Sequence, residues 1–316
     1  MPGSAIYAGP FLFTETRPLN TEKVVQTSLT PRGFMDHETF SNIVEQACNM
    51  GLRQAWLTPM LGEIFADLQI SEKWALLEKE TRIDGYGFYS NFILAREEQI
   101  RSFPTLSKLT SLFNSLYGFD SNRFVETTRK PASQYSKLLK NLSCLLEVSD
   151  SWTPMDGLHF NMRTIKTNTP IMECDTELSA LLRKFAAKGA NVSEDNEYDS
   201  WVVTITQDEV DPLGIKLTDG NQLYMHGTCT KVFAEIQIKA DGQVHACACR
   251  DIDGSLVVGN LNQTKLKDIL SFENVPYREL IESQMQGQCN KNCRSCSSYR
   301  SNYDGRASLA ILVWPS

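Results

Sequence analysis

The chain has 316 residues, enough for one large core or a medium domain plus a small one. Its 41% hydrophobic and 22% charged content is that of an ordinary globular protein, and a formal net charge of -7 excludes a general nucleic-acid binder, which needs concentrated Lys and Arg. Apolar runs such as Ala307 to Trp314 are too short to cross a bilayer, and the opening MPGSAIYAGPFLF lacks the basic start and cleavage site of a secretory signal. The expected location is therefore the cytoplasm, with no membrane partner, where cysteines stay reduced and serve as ligands more often than as disulfides.

Residues 1–30 read as an irregular segment, with Val24-Val25-Gln26 as a candidate remnant of a first strand. Beyond it, Asp36 is placed to cap a helix in which Phe40, Ile43, Val44 and Ala47 recur at helical spacing, and Gly51 stops it. The pattern then alternates. Strand Arg53 to Thr58 precedes helix Ser71 to Thr81; strand Tyr86 to Phe92 and a short helix over Ala95 to Phe103 come next. Strand Leu109 to Tyr117, helix Gln134 to Leu146, strand Leu158 to Ile165, helix Glu177 to Ala187 and strand Trp201 to Thr206 complete the series.

Strands alternating with helices imply α/β architecture with a parallel sheet, because parallel strands need long crossovers. The number of strands suggests an open or partial barrel, with a doubly wound sheet as the alternative. In LHFNMRTI, His159, Asn161 and Arg163 share the face opposite Leu158, Phe160 and Met162. A polar stripe on a parallel strand is expected to line a solvated lumen, and Gly87, Tyr89 and Asn91 could line the same cavity. An edge strand is the other way to accommodate it.

After residue 206 the grammar changes. Gln207 to Gly220 is turn-rich and acidic, a linker in this reading; Lys231 to Lys239 alternates like an antiparallel strand, and Asp241-Gly242 turns it back into Gln243 to Ala248. Helices are expected near Lys265 to Leu270 and Pro276 to Met285. Of the nine cysteines, Cys48, Cys144 and Cys174 are isolated and read as inert. The other six, Cys229, Cys247, Cys249, Cys289, Cys293 and Cys296, flank the hairpin or cluster at CNKNCRSC. Four thiolates suffice for an iron-sulfur cluster or for a structural zinc, and the spacing leaves both open.

The stretch Cys229, Gly242, Cys247 obeys C-x12-G-x4-C, followed by Gly259-Asn260-Leu261, a helix and the late cysteines. This resembles the SPASM or shorter twitch domain, the auxiliary iron-sulfur module of many radical S-adenosylmethionine enzymes. The upstream half resembles their partial barrel. By that resemblance Gly62 and Glu63, in LTPMLGEIFAD, contact the methionine amino group; Asn91 ends the third-strand motif. Ser115, in SLYGFD, lies near the ribose, and Arg163 holds the methionine carboxylate.

The resemblance implies a partial (β/α)6-type barrel lacking a normal first strand and cluster loop, plus a small α+β cysteine-rich domain. The expected divisions are 1–30, 31–222 for the barrel, 223–304 for the cysteine-rich domain and a tail at 305–316. The implied cofactors are an auxiliary [4Fe-4S] cluster and S-adenosylmethionine. The implied function is oxidoreductase-like modification of a peptide or small molecule by 5'-deoxyadenosyl radical hydrogen abstraction, with a flavodoxin or ferredoxin as electron donor. The sequence names no catalytic residue.

One departure matters: the family's C-x3-C-x2-C follows the first strand, and residues 1–47 contain no cysteine. Three accounts stand open. The sequence is truncated, or it is a degenerate non-catalytic module holding iron-sulfur or structural zinc, or Cys289, Cys293 and Cys296 substitute. Against the last, an auxiliary module caps the barrel mouth with its cluster farther from the cofactor.

Overall fold

The computed structural model describes residues 5–8, 33–57, 63–152, 155–163, 169–195, 197–199, 206–211, 216–218, 225–247, 251, 254–296 and 298–303. Its first strand is β1 (Ala5–Ala8), inside the segment expected to be irregular. Val24-Val25-Gln26 lies outside the described residues. Helix α1 (His37–Asn49) starts at the expected cap: Asp36 accepts from the backbone N–H of Thr39 at 2.7 Å and from its hydroxyl at 2.8 Å. Its buried face is Phe40, Ile43, Val44 and Ala47.

Strand β2 (Gln54–Trp56) leads to α2 (Ile70–Lys79) and β3 (Gly85–Ser90). Then come α3 (Glu97–Ser102), β4 (Leu109–Leu116) and the unanticipated α4 (Ser121–Thr128), capped by Asp120. Helix α5 (Ala132–Val148), β5 (Leu158–Arg163), α6 (Glu177–Ala187) and β6 (Asn191–Asp195) complete the alternation. The expected strand over Trp201 to Thr206 falls almost wholly outside the described residues. Nearby, β7 (Glu197–Asp199) pairs parallel with β8 (Lys216–Thr218), which follows the one-turn α7 (Gln207–Val210), so the stretch read as a linker supplies one strand of a small ladder.

In the cysteine-rich part, α8 (Lys231–Ala234) is followed by β9 (Glu235–Ile238), β10 (Gln243–His245) and β11 (Val257–Asn260). Next are α9 (Leu266–Ile269), α10 (Val275–Met285) and α11 (Lys291–Arg294). The strand expected over Lys231 to Lys239 is thus a helical turn for its first half: alternation in KVFA matched a strand, but the backbone N–H groups of Phe233 and Ala234 bond back to Thr230. The Asp241-Gly242 turn is as expected, with Gly242 at φ +82°, where a Cβ would also meet Asn260 and Asn262 within 3 Å.

Among the described residues the sheet has nine strands in the order β11-β10-β9-β1-β2-β3-β4-β5-β6. All neighbours from β9 through β6 pair in parallel, while β9-β10-β11 is an antiparallel meander. The helix-covered face buries Phe88, Leu112, Leu116, Phe160 and Met162. There Trp74 of α2 stacks on Phe88 at 5.7 Å, and Phe65 and Phe103 pack their edges around the pair.

The other face carries a row of rings. Trp56 lies 5.7 Å from Phe113, Tyr89 stacks on Phe113 at 4.6 Å, and Phe113 stacks on His159 at 4.1 Å. A Cβ on Gly87 would come within 2.7 Å of the Ser111 carbonyl and 3.0 Å of the Trp56 ring, so glycine makes the row possible. His159, Asn161 and Arg163 alternate with buried neighbours as expected of a lumen-facing stripe. β5 pairs on both sides, with β4 and with β6, which removes the edge-strand explanation of that stripe.

A buried ion pair ties α2 to the entrance of α1. Lys73 Nζ donates to Asp67 Oδ2 and to the Met35 carbonyl, both at 2.5 Å, with Lys73 and Asp67 each about fully buried. Breaking such a pair from one side leaves a buried charge. Lys73→Met is expected to lower stability in urea unfolding by about 3–5 kcal/mol. Adding Asp67→Leu is expected to restore most of that loss.

Candidate metal centre and cofactor site

The thiols converge by three routes. Cys229 is held by the end of the described chain: it forms a bridge with Ser301, while Thr230 donates to the Arg300 carbonyl and Asn302 to the Thr228 carbonyl, both at 2.8 Å. Cys247 follows β10. Cys293 and Cys296 sit at the helical turn α11, where the N–H of Cys296 bonds the Cys293 carbonyl at 3.1 Å. Asn290 caps that turn through the N–H of Asn292 at 2.8 Å.

Cys229, Cys247, Cys293 and Cys296 line one cavity together with Val232, Leu256, Gln284 and Tyr299. Cys289 is buried beside it, close enough for its charge to act on Cys293, and Cys249 lies outside the described residues. Cys229, Cys289 and Cys293 are free thiols. Burial pushes the Cys293 thiol up to about 12; a hydrogen bond from Gln284 opposes that rise, and Cys289, Cys296 and Cys229 add to it. Burial likewise raises Cys289, against a hydrogen bond from Tyr299.

Four soft donors around one cavity fit a metal group that would neutralise the thiolates burial disfavours. Among the described residues no three His, Cys, Asp or Glu side chains close on a point fit for a single ion. One zinc would need its sulfurs drawn to within about 2.3 Å of it. A cluster instead takes each thiolate at a separate iron.

A buried carboxylate holds the cavity's walls in register. Asp251 accepts from the His245 ring at 2.5 Å, from Leu256 N–H at 2.9 Å, from Asn292 Nδ2 at 3.0 Å and from the Ser255 hydroxyl at 3.3 Å. It therefore joins β10, the following loop and α11, the segments bearing Cys247 and Cys293. Burial lowers His245, partly offset by the bond to Asp251. Neither Asp251 nor Gln284 was readable as a site residue in the sequence.

The expected cofactor contacts lie at or beyond the C-terminal ends of parallel strands, so they share one edge of the sheet. Gly62 lies outside the described residues. Glu63 and Asn91 meet: Glu63 Oε2 accepts the Asn91 N–H at 2.8 Å, and Oε1 accepts the Ser90 hydroxyl at 2.5 Å. Ser115 pairs across the ladder with Asn161, which accepts from Arg163 Nε at 3.1 Å and donates to Ser193 at 3.1 Å. That bond uses one of the five guanidinium donors and fixes the plane of the rest.

Glu63 is 2% exposed, and burial pushes its carboxyl up to about 7, opposed by the bonds from Ser90 and Asn91. The carboxyl would regain its charge beside a cation, so it suits an ammonium ligand. Because its pKa is raised on folding, its contribution to stability is complete below the ordinary value of 4.5 and is lost as pH rises through about 7. Unfolding of the native chain and of Glu63→Gln is expected to diverge between pH 5 and pH 8, the native chain losing about 2–3 kcal/mol relative to the variant. For Asp251→Ala, an expected loss of about 1–3 kcal/mol per orphaned donor, with reduced iron retention, is read by unfolding and metal analysis.

Among the described residues no helix is long and apolar enough to cross a membrane. The sequence profile of SPASM, an iron-sulfur cluster-binding domain, matches residues 229–297. No curated protein matches the sequence. Solved structures do match. BtrN in complex with AdoMet and 2-DOIA is 11% identical with a TM-score of 0.54, over 94% of either chain. SuiB of Streptococcus suis bound to S-adenosylmethionine is 13% identical with a TM-score of 0.56, over 94% of this chain and 71% of SuiB. The enzyme anSMEcpe with bound AdoMet and Kp18Cys peptide is 16% identical with a TM-score of 0.52, over 98% of this chain and 96% of the other. Identities this low establish the fold, which is the partial barrel of radical S-adenosylmethionine enzymes. The chain thus joins a fold like that of radical S-adenosylmethionine enzymes to a segment, residues 229–297, that matches the SPASM iron-sulfur cluster-binding domain and holds the cavity of converging thiols.

Proposed function

We propose that this protein holds one [4Fe-4S] cluster in its C-terminal module as a one-electron carrier and S-adenosylmethionine at the mouth of its barrel, and that it is related to enzymes that modify a peptide or small molecule by 5'-deoxyadenosyl radical chemistry, which the thiols of this chain do not themselves initiate. The observation that carries the reading is the single cavity lined by Cys229, Cys247, Cys293 and Cys296 within the SPASM match. When bound, such a cluster supplies or accepts one electron at low potential.

The chain's own residues supply binding and exclusion of water. Glu63 receives the ammonium of the cofactor, and Arg163, its plane set by Asn161, receives the carboxylate by paired donation. The ring row Trp56, Tyr89, Phe113 and His159 walls the same face of the sheet and keeps its lower part apolar. Structures of similar fold were solved with AdoMet and, for anSMEcpe, with a peptide, which supports both the cofactor and the substrate class. A flavodoxin or ferredoxin is the class of donor proposed for the cluster.

Strand β1 sharpens the assignment of that cluster. The connection from Ala8 to His37 is present in the sequence and contains no cysteine. In the family the radical-generating iron is held by three cysteines of that connection, so the thiols of this chain serve the auxiliary position.

Anaerobic reconstitution is expected to give about four irons and four sulfides per chain. Zinc in their place would overturn the reading. S-adenosylmethionine binding, measured by calorimetry, is expected to strengthen as pH rises through about 7 as Glu63 gains its charge, with Glu63→Gln flat over that range. Arg163→Ala is expected to weaken binding by roughly ten- to a hundred-fold, the worth of a charged hydrogen bond. Under dithionite the reconstituted chain is expected to release no 5'-deoxyadenosine above background; turnover would show that other ligands hold a reactive iron.

A further inference from the structure

Gln284 of α10 is fully buried, and its amide touches two cysteines at once. Oε1 accepts the backbone N–H of Cys229 at 2.9 Å, and Nε2 donates to Cys293 Sγ at 3.3 Å. The two partners fix the amide: a backbone N–H can only donate, so the oxygen must face Cys229 and the nitrogen must face the sulfur. Gln284 also lines the thiol cavity. It therefore spans the distant cysteine of the set and one from the late cluster.

We propose that Gln284 is a positioning residue that sets the reduction potential of the cluster. The proposal rests on the cluster reading above. Reduction adds one electron, delivered by an external low-potential donor, and no proton; the added charge spreads onto the ligand sulfurs. An N–H aimed at a sulfur stabilises that more negative state and raises the potential. Ser298 N–H reaches Cys296 Sγ at 3.3 Å and Arg300 N–H reaches Cys229 Sγ at 3.5 Å, but these are backbone donors. Gln284 supplies its bond to sulfur from a side chain, so it can be removed by substitution. Its grip on Cys229 fixes where the first ligand meets the others.

The test uses the full chain, reconstituted anaerobically with iron and sulfide and titrated with dithionite while the reduced cluster is followed by electron paramagnetic resonance. Gln284→Leu deletes both bonds at similar volume; Gln284→Glu keeps an acceptor for Cys229 and turns a carboxylate toward the sulfur. Both variants are expected to titrate at a lower potential than the native chain, Gln284→Glu the lower of the two. If Gln284→Leu fails to fold, Gln284→Glu carries the comparison. Native and variant clusters with equal iron content and equal potentials would overturn the proposal. A native chain that takes up no iron would instead overturn the cluster assignment, a result distinguishable from an unshifted potential.

Discussion

Ala5–Ala8 pairs in parallel with strands on both sides, Gln54–Trp56 and Glu235–Ile238, and the rest of the architecture hangs on that double ladder. The two partners are far apart in sequence and belong to the two halves of the protein. Without the four residues between them, the barrel sheet would end at an open edge and the cysteine hairpin would have no fixed plane. With them, one sheet runs from the hairpin to β6, and the position of the thiols relative to the barrel mouth follows from strand geometry. A second tie acts outside the sheet, where Gln46 on α1 accepts the Leu266 N–H of α9 at 2.7 Å.

The two sites built on this frame handle buried charge differently. At Glu63 the fold keeps a carboxyl out of water and leaves its charge to be restored by a ligand. At the cysteines the fold surrounds disfavoured thiolates with fixed donors, Gln284 and two backbone N–H groups, and then fixes the surrounding segments through Asp251. Both place ionisable groups in a desolvated setting where hydrogen bonds from the fold oppose the shift that burial causes. That is a stability cost the large apolar core around Trp74, Phe88 and Phe103 must offset.

What could be read from the sequence was whatever local pattern and tertiary fate agree upon. Helix Glu177–Ala187 has the predicted bounds because Thr176 caps it, its apolar residues recur at helical spacing and Gly189 follows it. The stripe His159, Asn161, Arg163 was visible through alternation alone. Ala5–Ala8 was not, since four residues of AIYA carry too little pattern, and they are a strand only because two neighbours accept them. Lys231–Ala234 misled because alternation is a poor guide over one helical turn. The cysteines stood out by spacing and Glu63 and Asn91 by family resemblance; the fold brings four of the former to one cavity and joins the latter by a hydrogen bond. Gln284 and Asp251 were not: a lone Gln in a helix or a lone Asp in a loop resembles any solvated polar residue until the fold buries it.

The hold on Cys229 has a consequence for how metal and folding are coupled. Its backbone is pinned by the strand-like stretch 300–302 and by Gln284, so its sulfur faces the late cysteines through protein contacts alone. In a zinc finger the metal organises the chain, and removing it unfolds the domain. Here the placement of Cys229 draws on the rest of the fold as well: Gln284 ties its backbone to Cys293, and the stretch 300–302 closes on it, so the ligand most distant in sequence is registered against the late cysteines by hydrogen bonds of the protein itself.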